Sequence, residues 1–143
     1  MATRGLVLLP LLLLWTACST AHDDFREQAE GVVRGFLEAV VAGDAEAASS
    51  HALIEGDSKY FVIFTDLLAA GEVVVHEARL LYFAQIRPDA GPHGLDALTA
   101  HVEARVERGG TELPRRRFTL ELVGSEREWY IKHVPDDWSD LTR

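Results

Sequence analysis

The chain is 143 residues long, with 14 lysines and arginines against 23 aspartates and glutamates and a net charge of −9. That length holds one ordinary domain rather than two. The acid excess argues against a general nucleic-acid binder, because such affinity comes from a basic surface neutralising phosphates. The single cysteine, Cys18, rules out an intramolecular disulfide and a four-thiolate metal site.

Residues 1–17 read as an export signal. Arg4 precedes an apolar stretch from Leu6 to Trp15, interrupted by Pro10, and Thr16, Ala17 and Cys18 follow. The stretch is too short for a membrane-spanning helix, which takes roughly 20 apolar residues. Ala17 and Cys18 resemble the last two positions of the lipobox of bacterial lipoprotein precursors, with Trp15 standing where an aliphatic residue is usual. The resemblance implies cleavage before Cys18 and a thioether-linked diacylglycerol, with palmitate-type acyl chains, on its sulfur. It also implies sorting to the outer membrane, since Ser19 and not an aspartate follows the cysteine. Several acyl chains, at about 0.8 kcal/mol per buried CH₂, would hold a small domain firmly. The expected location is the cell envelope, anchored at the outer membrane and facing the periplasm, with a soluble periplasmic or secreted form as the alternative.

Residues 18–24 are then a lipidated N-terminus and tether, 25–135 one domain, and 136–143 a polar tail. Asp24 and Glu27 form a capping-box pattern. Phe25, Ala29, Val32, Val33, Phe36, Leu37, Val40 and Val41 recur at three and four residues and predict a long amphipathic helix stopped by Gly43. Asp44 caps a short alanine-rich helix reaching about His51. Gly56, Asp57 and Ser58 mark a turn, after which Tyr60, Phe61, Phe64, Leu67 and Leu68 fit a helix ending at Gly71. The β-branched Val62, Ile63 and Thr65 would also suit a strand, and the helical spacing is preferred.

Beyond Gly71 the period changes to two. Val74, His76, Ala78, Leu80, Tyr82, Ala84 and Ile86 share one face of a long strand; Val73–Val75 would also suit a short separate strand ahead of a bulge. Pro88, Gly91 and Pro92 place a loop over 87–94. Leu98, Ala100, Val102, Ala104 and Val106 alternate with polar residues in a second strand, and Gly109-Gly110 is a turn. A third strand carries Phe118, Leu120 and Leu122; the last, 128–134, carries Trp129 and Ile131 and stops at Pro135. Helices followed by a strand meander give an α+β domain, with the N-terminal helices packed on a curved antiparallel sheet.

Three stretches carry a further likeness: Val33 to Ala39, Gly43 to Ala48, and Gly124 to Lys132 with its Trp129 and Ile131. They resemble the long helix, the second helix and the last strand of the nuclear-transport-factor-2-like superfamily, the cystatin-like cone, and in particular its small lipoproteins of uncharacterised function. The resemblance implies a cone-like fold over residues 25–134. It leaves function open, because this fold hosts isomerases, dehydratases, ligand pockets and assembly modules.

The chemistry is thin. The six histidines are His22, His51, His76, His93, His101 and His133, and they form no HExxH spacing or Cys/His cluster. No metal site or cofactor is expected. His76, on the apolar side of its strand, is the one weak catalytic candidate: cone-fold enzymes use an inward histidine as a proton carrier, and a carboxylate partner would tune it. No aspartate or glutamate falls inside the apolar stripes to serve as that partner. Tyr60, His76, Tyr82 and Trp129 are candidates to line a pocket, though aromatics at structural spacing are first of all core. Arg115, Arg116 and Arg117 fit a charge-protected edge or solvent-facing strand, with anionic lipid headgroups as the sharper alternative. The functional expectation is a lipid-anchored envelope module that binds a small apolar ligand or an envelope protein. The alternative is a small acid–base isomerase or lyase using His76. A homodimer through the sheet face, where Leu81 and Phe83 lie, is a further expectation, and nucleic acid is not a partner.

Overall fold

The computed structural model describes residues 9–52, 59–84, 87, 96–125 and 128–133, with side chains from Phe25 onward. Three helices, α1 (Leu9–Val41), α2 (Ala45–Ser50) and α3 (Lys59–Ala69), precede five strands. These are β1 (Val73–Phe83), β2 (Asp96–Arg108), β3 (Thr111–Glu112), β4 (Arg116–Gly124) and β5 (Trp129–His133). The strands form one antiparallel sheet in the order β1-β2-β4-β5, and the two-residue β3 adds to β2 beyond the end of β4. The α+β expectation holds, and the segment 59–69 is helical.

The first helix begins earlier than the capping box at Asp24 predicts, and its backbone is continuous through Cys18. Leu11 to Leu14 are good helix formers, Pro10 falls in the first turn where its missing N–H costs nothing, and no glycine or proline interrupts 16–24. The segment 18–24 is therefore helical. No helix among the described residues is long and apolar enough to cross a membrane. At the other end, the amides of Gly43 and Asp44 bond the carbonyls of Val40 and Ala39, a Schellman closure. Asp44 then starts α2, its carboxylate accepting the Ala47 amide at 3.0 Å. The Gly56–Ser58 turn, His93 and the 136–143 tail lie outside the described residues.

The core lies between the helices and one face of the sheet. Ala29, Val33, Phe36, Leu37 and Val40 of α1 and Phe61, Phe64 and Leu68 of α3 are buried against Leu98, Ala100, Val102, Phe118, Leu120, Leu122 and Ile131. Cross-strand partners stack apolar on apolar, as in Leu98 with Leu122, Ala100 with Leu120 and Val102 with Phe118. Gly109 and Gly110 join β2 to β3 with φ of 55° and 83°, a two-residue turn that needs positive φ at both positions and so selects glycine.

β1 departs from simple alternation. Its pairing with β2 shifts between Val75 and Glu77 and again between Leu80 and Tyr82. Each shift inserts an extra residue and exchanges the two faces. The core side of β1 is consequently Val73 and Val75, then Ala78 and Leu80, then Phe83. His76 and Tyr82, expected inward, are exposed at 38% for the His76 side chain and 51% for Tyr82.

Candidate functional site

Among the described residues, a groove of about 620 Å³ lies between α1 and β1. Glu30, Arg34, Leu37, Glu38, Val41 and Ala42 supply the helical wall, spaced by three, four or one so that they form one stripe of α1. His76, Glu77, Ala78, Arg79 and Leu80 supply the other wall. Leu37, Val41, Ala78 and Leu80 make it apolar, and charged side chains flank them. The volume falls in the range of small-ligand sites, roughly 300–1,000 Å³.

Of the four residues expected to share a pocket, His76 alone lines this groove. Its Nε2 lies 2.8 Å from Oε2 of Glu107 on β2. That carboxylate was missed in the sequence because it belongs to the polar face of a neighbouring strand, and the extra residue at the first shift brings the two side chains together. Both are open to water, with 38% and 32% of their side chains exposed. Tyr82 stacks on His101, rings 4.4 Å apart and 14° from parallel, outside the groove. Tyr60 sits beneath the Lys59 ammonium. Trp129 is buried in the core, and its indole N–H meets no acceptor among the described residues. It borders a second depression of about 380 Å³ with Gln28, Gly31, Val32, His51, Glu128 and Tyr130. The four candidates therefore do not converge.

Charge around the groove is largely paired. Arg34 bonds Glu30 one turn earlier on α1. Arg79 donates to Glu103 from Nε at 3.0 Å and from Nη2 at 2.7 Å, and Arg115 reaches both Glu77, at 3.0 Å, and Glu103. The hydrogen bonds from Arg79, with the positive fields of Arg79 and Arg115, hold the Glu103 carboxyl below the usual range, against an opposing push from partial desolvation. Near the second depression, the Tyr130 hydroxyl donates to Glu128 at 2.9 Å, which raises its pKa. Arg116 and Arg117 lie where β4 pairs with β2 but β5 does not reach, since β5 meets only Glu121 to Gly124; among the described residues that side of β4 is an edge, as expected for the arginine run. Two of its members also meet carboxylates, Arg115 by direct bonds and Arg117 by lying opposite Glu103 in the ladder. Among the described residues no group of three metal-ligating side chains converges.

No protein-family model matches the sequence. No curated protein is detectably similar to it either. Among solved structures, the chain is similar to the crystal structure of a candidate NTF2-like transpeptidase from Campylobacter jejuni. The match covers 72% of this chain and 95% of that one, at 13% identity and a TM-score of 0.41. A likeness at that level says nothing about activity here.

Proposed function

We propose that the chain is a lipid-anchored binding module of the cell envelope and that the groove between α1 and β1 is its binding surface. The observation that carries this reading is the groove itself: an open trough of about 620 Å³ with an apolar floor built from Leu37, Val41, Ala78 and Leu80. Val41 remains 41% exposed at its rim, although every other apolar residue of its helical stripe from Ala29 on is at least partly buried. The export pattern and Cys18 supply the anchor.

Two measurements test it. Full-length protein made in a bacterial host is grown with an alkyne-tagged palmitate; the expected result is labelling and membrane fractionation, both lost in Cys18→Ala. A fluorescent fatty acid serves as the apolar probe of the groove, with binding expected and weakened in Val41→Asp. Absence of labelling in the unaltered chain removes the anchor, and absence of any probe or partner at the groove removes the binding role.

The second reading, an acid–base enzyme, gains one observation, the Glu107 carboxylate beside His76. It loses another, since both side chains are open to solvent, 38% and 32% exposed, beside an open groove. A folded His76→Ala protein that keeps its binding and its phenotype would remove the enzyme reading.

A further inference from the structure

The groove touches five consecutive residues of β1, His76 to Leu80. Successive side chains of a strand point to opposite faces, so a cavity that meets all five runs along the strand's edge. That edge ends the sheet, for β1 pairs with β2 alone among the described residues. Its outward amides and carbonyls thus lie beside a helix wall with apolar residues, the arrangement in which an extended peptide joins a sheet.

We propose that this edge is a docking site for a short, cationic, extended peptide segment, which pairs with β1 over Glu77–Leu80 and sets alternate side chains against Leu37, Val41 and Leu80. The proposal deepens the reading of the groove as the binding surface and rests on it.

Two observations select this occupant. The first is length. The regular stretch of β1 between its two register shifts is Glu77–Leu80. A second copy of β1 would bring its own shifts and meet no continuous ladder, and bulges are a common means by which sheet edges avoid one another. A short peptide has no such obstacle. The second is charge. Glu30, Glu38 and Glu77 line the groove with Arg34 and Arg79; Glu30 is paired with Arg34, Arg79 with Glu103 and Glu77 with Arg115, which leaves Glu38 as the uncompensated charge. The Glu38 carboxylate has no ion-pair partner among the described residues. The whole chain carries −9. The chain's own end suits the groove poorly, since residues 134–143 hold three aspartates against one arginine.

The test uses the full-length protein and a synthetic hexapeptide of alternating lysine and valine. Controls are the same peptide with glutamate for lysine and the same peptide with N-methylated backbone amides. The expected result is binding of the lysine peptide with slowed amide exchange in β1. Affinity should fall about tenfold in Val41→Ser, which removes the apolar contact without adding charge, the scale of one good interface contact. It should fall about two- to fivefold in Glu38→Lys, as for an exposed ion pair. Equal binding of the N-methylated peptide, or binding without protection of β1, overturns strand addition. No peptide binding, with the fluorescent fatty acid still held in the groove, overturns this proposal and leaves the broader reading standing; loss of both removes both. Concentration-dependent dimerisation abolished by Val41→Asp would assign the edge to a second copy and overturn the peptide.

Discussion

The two edges of the sheet are finished by different means. At β5 the chain covers its own edge: Ala52 pairs in parallel with Ile131, the Ile131 amide donates to the His51 carbonyl at 3.0 Å, and Trp129 and Ile131 are buried beneath. At β1 the edge is left bare among the described residues and is guarded by register shifts and by Glu77 and Arg79. A backbone bridge at Ile131 closes the first edge locally; charge and irregularity protect the second. The contrast teaches that one sheet can finish its two edges in different ways, one met by the chain's own backbone and one left to charge and irregularity.

Substitutions should separate the two edges sharply. Trp129→Ala, in the closed edge, is expected to cost about 3–5 kcal/mol, while Val74→Ala at the open edge stays within about 0.5 kcal/mol, both read from denaturant midpoints. Comparable losses at the two positions would break the contrast. Gly124→Ala comes next, at about 1–3 kcal/mol, because a β-carbon there would overlap the Trp129 ring and the Glu128 carbonyl oxygen. Asp44→Ala should cost about 1 kcal/mol by removing the α2 cap, and it should also raise amide exchange at Ile131, since α2 positions His51 over that edge.

The smallest effect is set by pH at the open edge. The folded state holds the Glu103 carboxyl below its ordinary range, so its contribution is complete above that range and is lost as pH falls through the lowered value. Acid should therefore loosen β1, which Arg79 ties to Glu103, before it loosens β5. Glu103→Gln should flatten that acid response, and an unchanged acid limb in the variant would remove the linkage.

Much of the architecture was legible because α1, α3 and β2 obey a single period over their buried lengths. The alternation from Leu98 to Val106 is reproduced residue for residue in the core. β1 was misread because strict alternation was carried across two register shifts. The trace was present in the apolar residues themselves: Val73 and Val75, Ala78 and Leu80, then Phe83, stepping by two, three, two and three. The groove was half legible. Leu37, Val41 and Leu80 were recognised as apolar stripe members, but which of them stay uncovered depends on how far α1 stands from the strand. Glu107 could not be paired with His76 until the register was known, because 31 residues separate them.

The tight turn at Gly109-Gly110 also fixes an order of assembly. It makes the pairing of β2 with β3 local in sequence and leads the chain on into β4, whereas β1 meets β2 across the longer connection that the Arg87–Ala97 bridge closes. Short closures cost less entropy and come sooner. The β2–β4 hairpin is thus expected to be formed in the folding transition state and β1 to attach late. Ala substitutions at Val102 or Phe118 should slow folding, and those at Val73 or Leu80 should mainly hasten unfolding. The strand proposed as the docking edge would then be the last one the chain secures for itself.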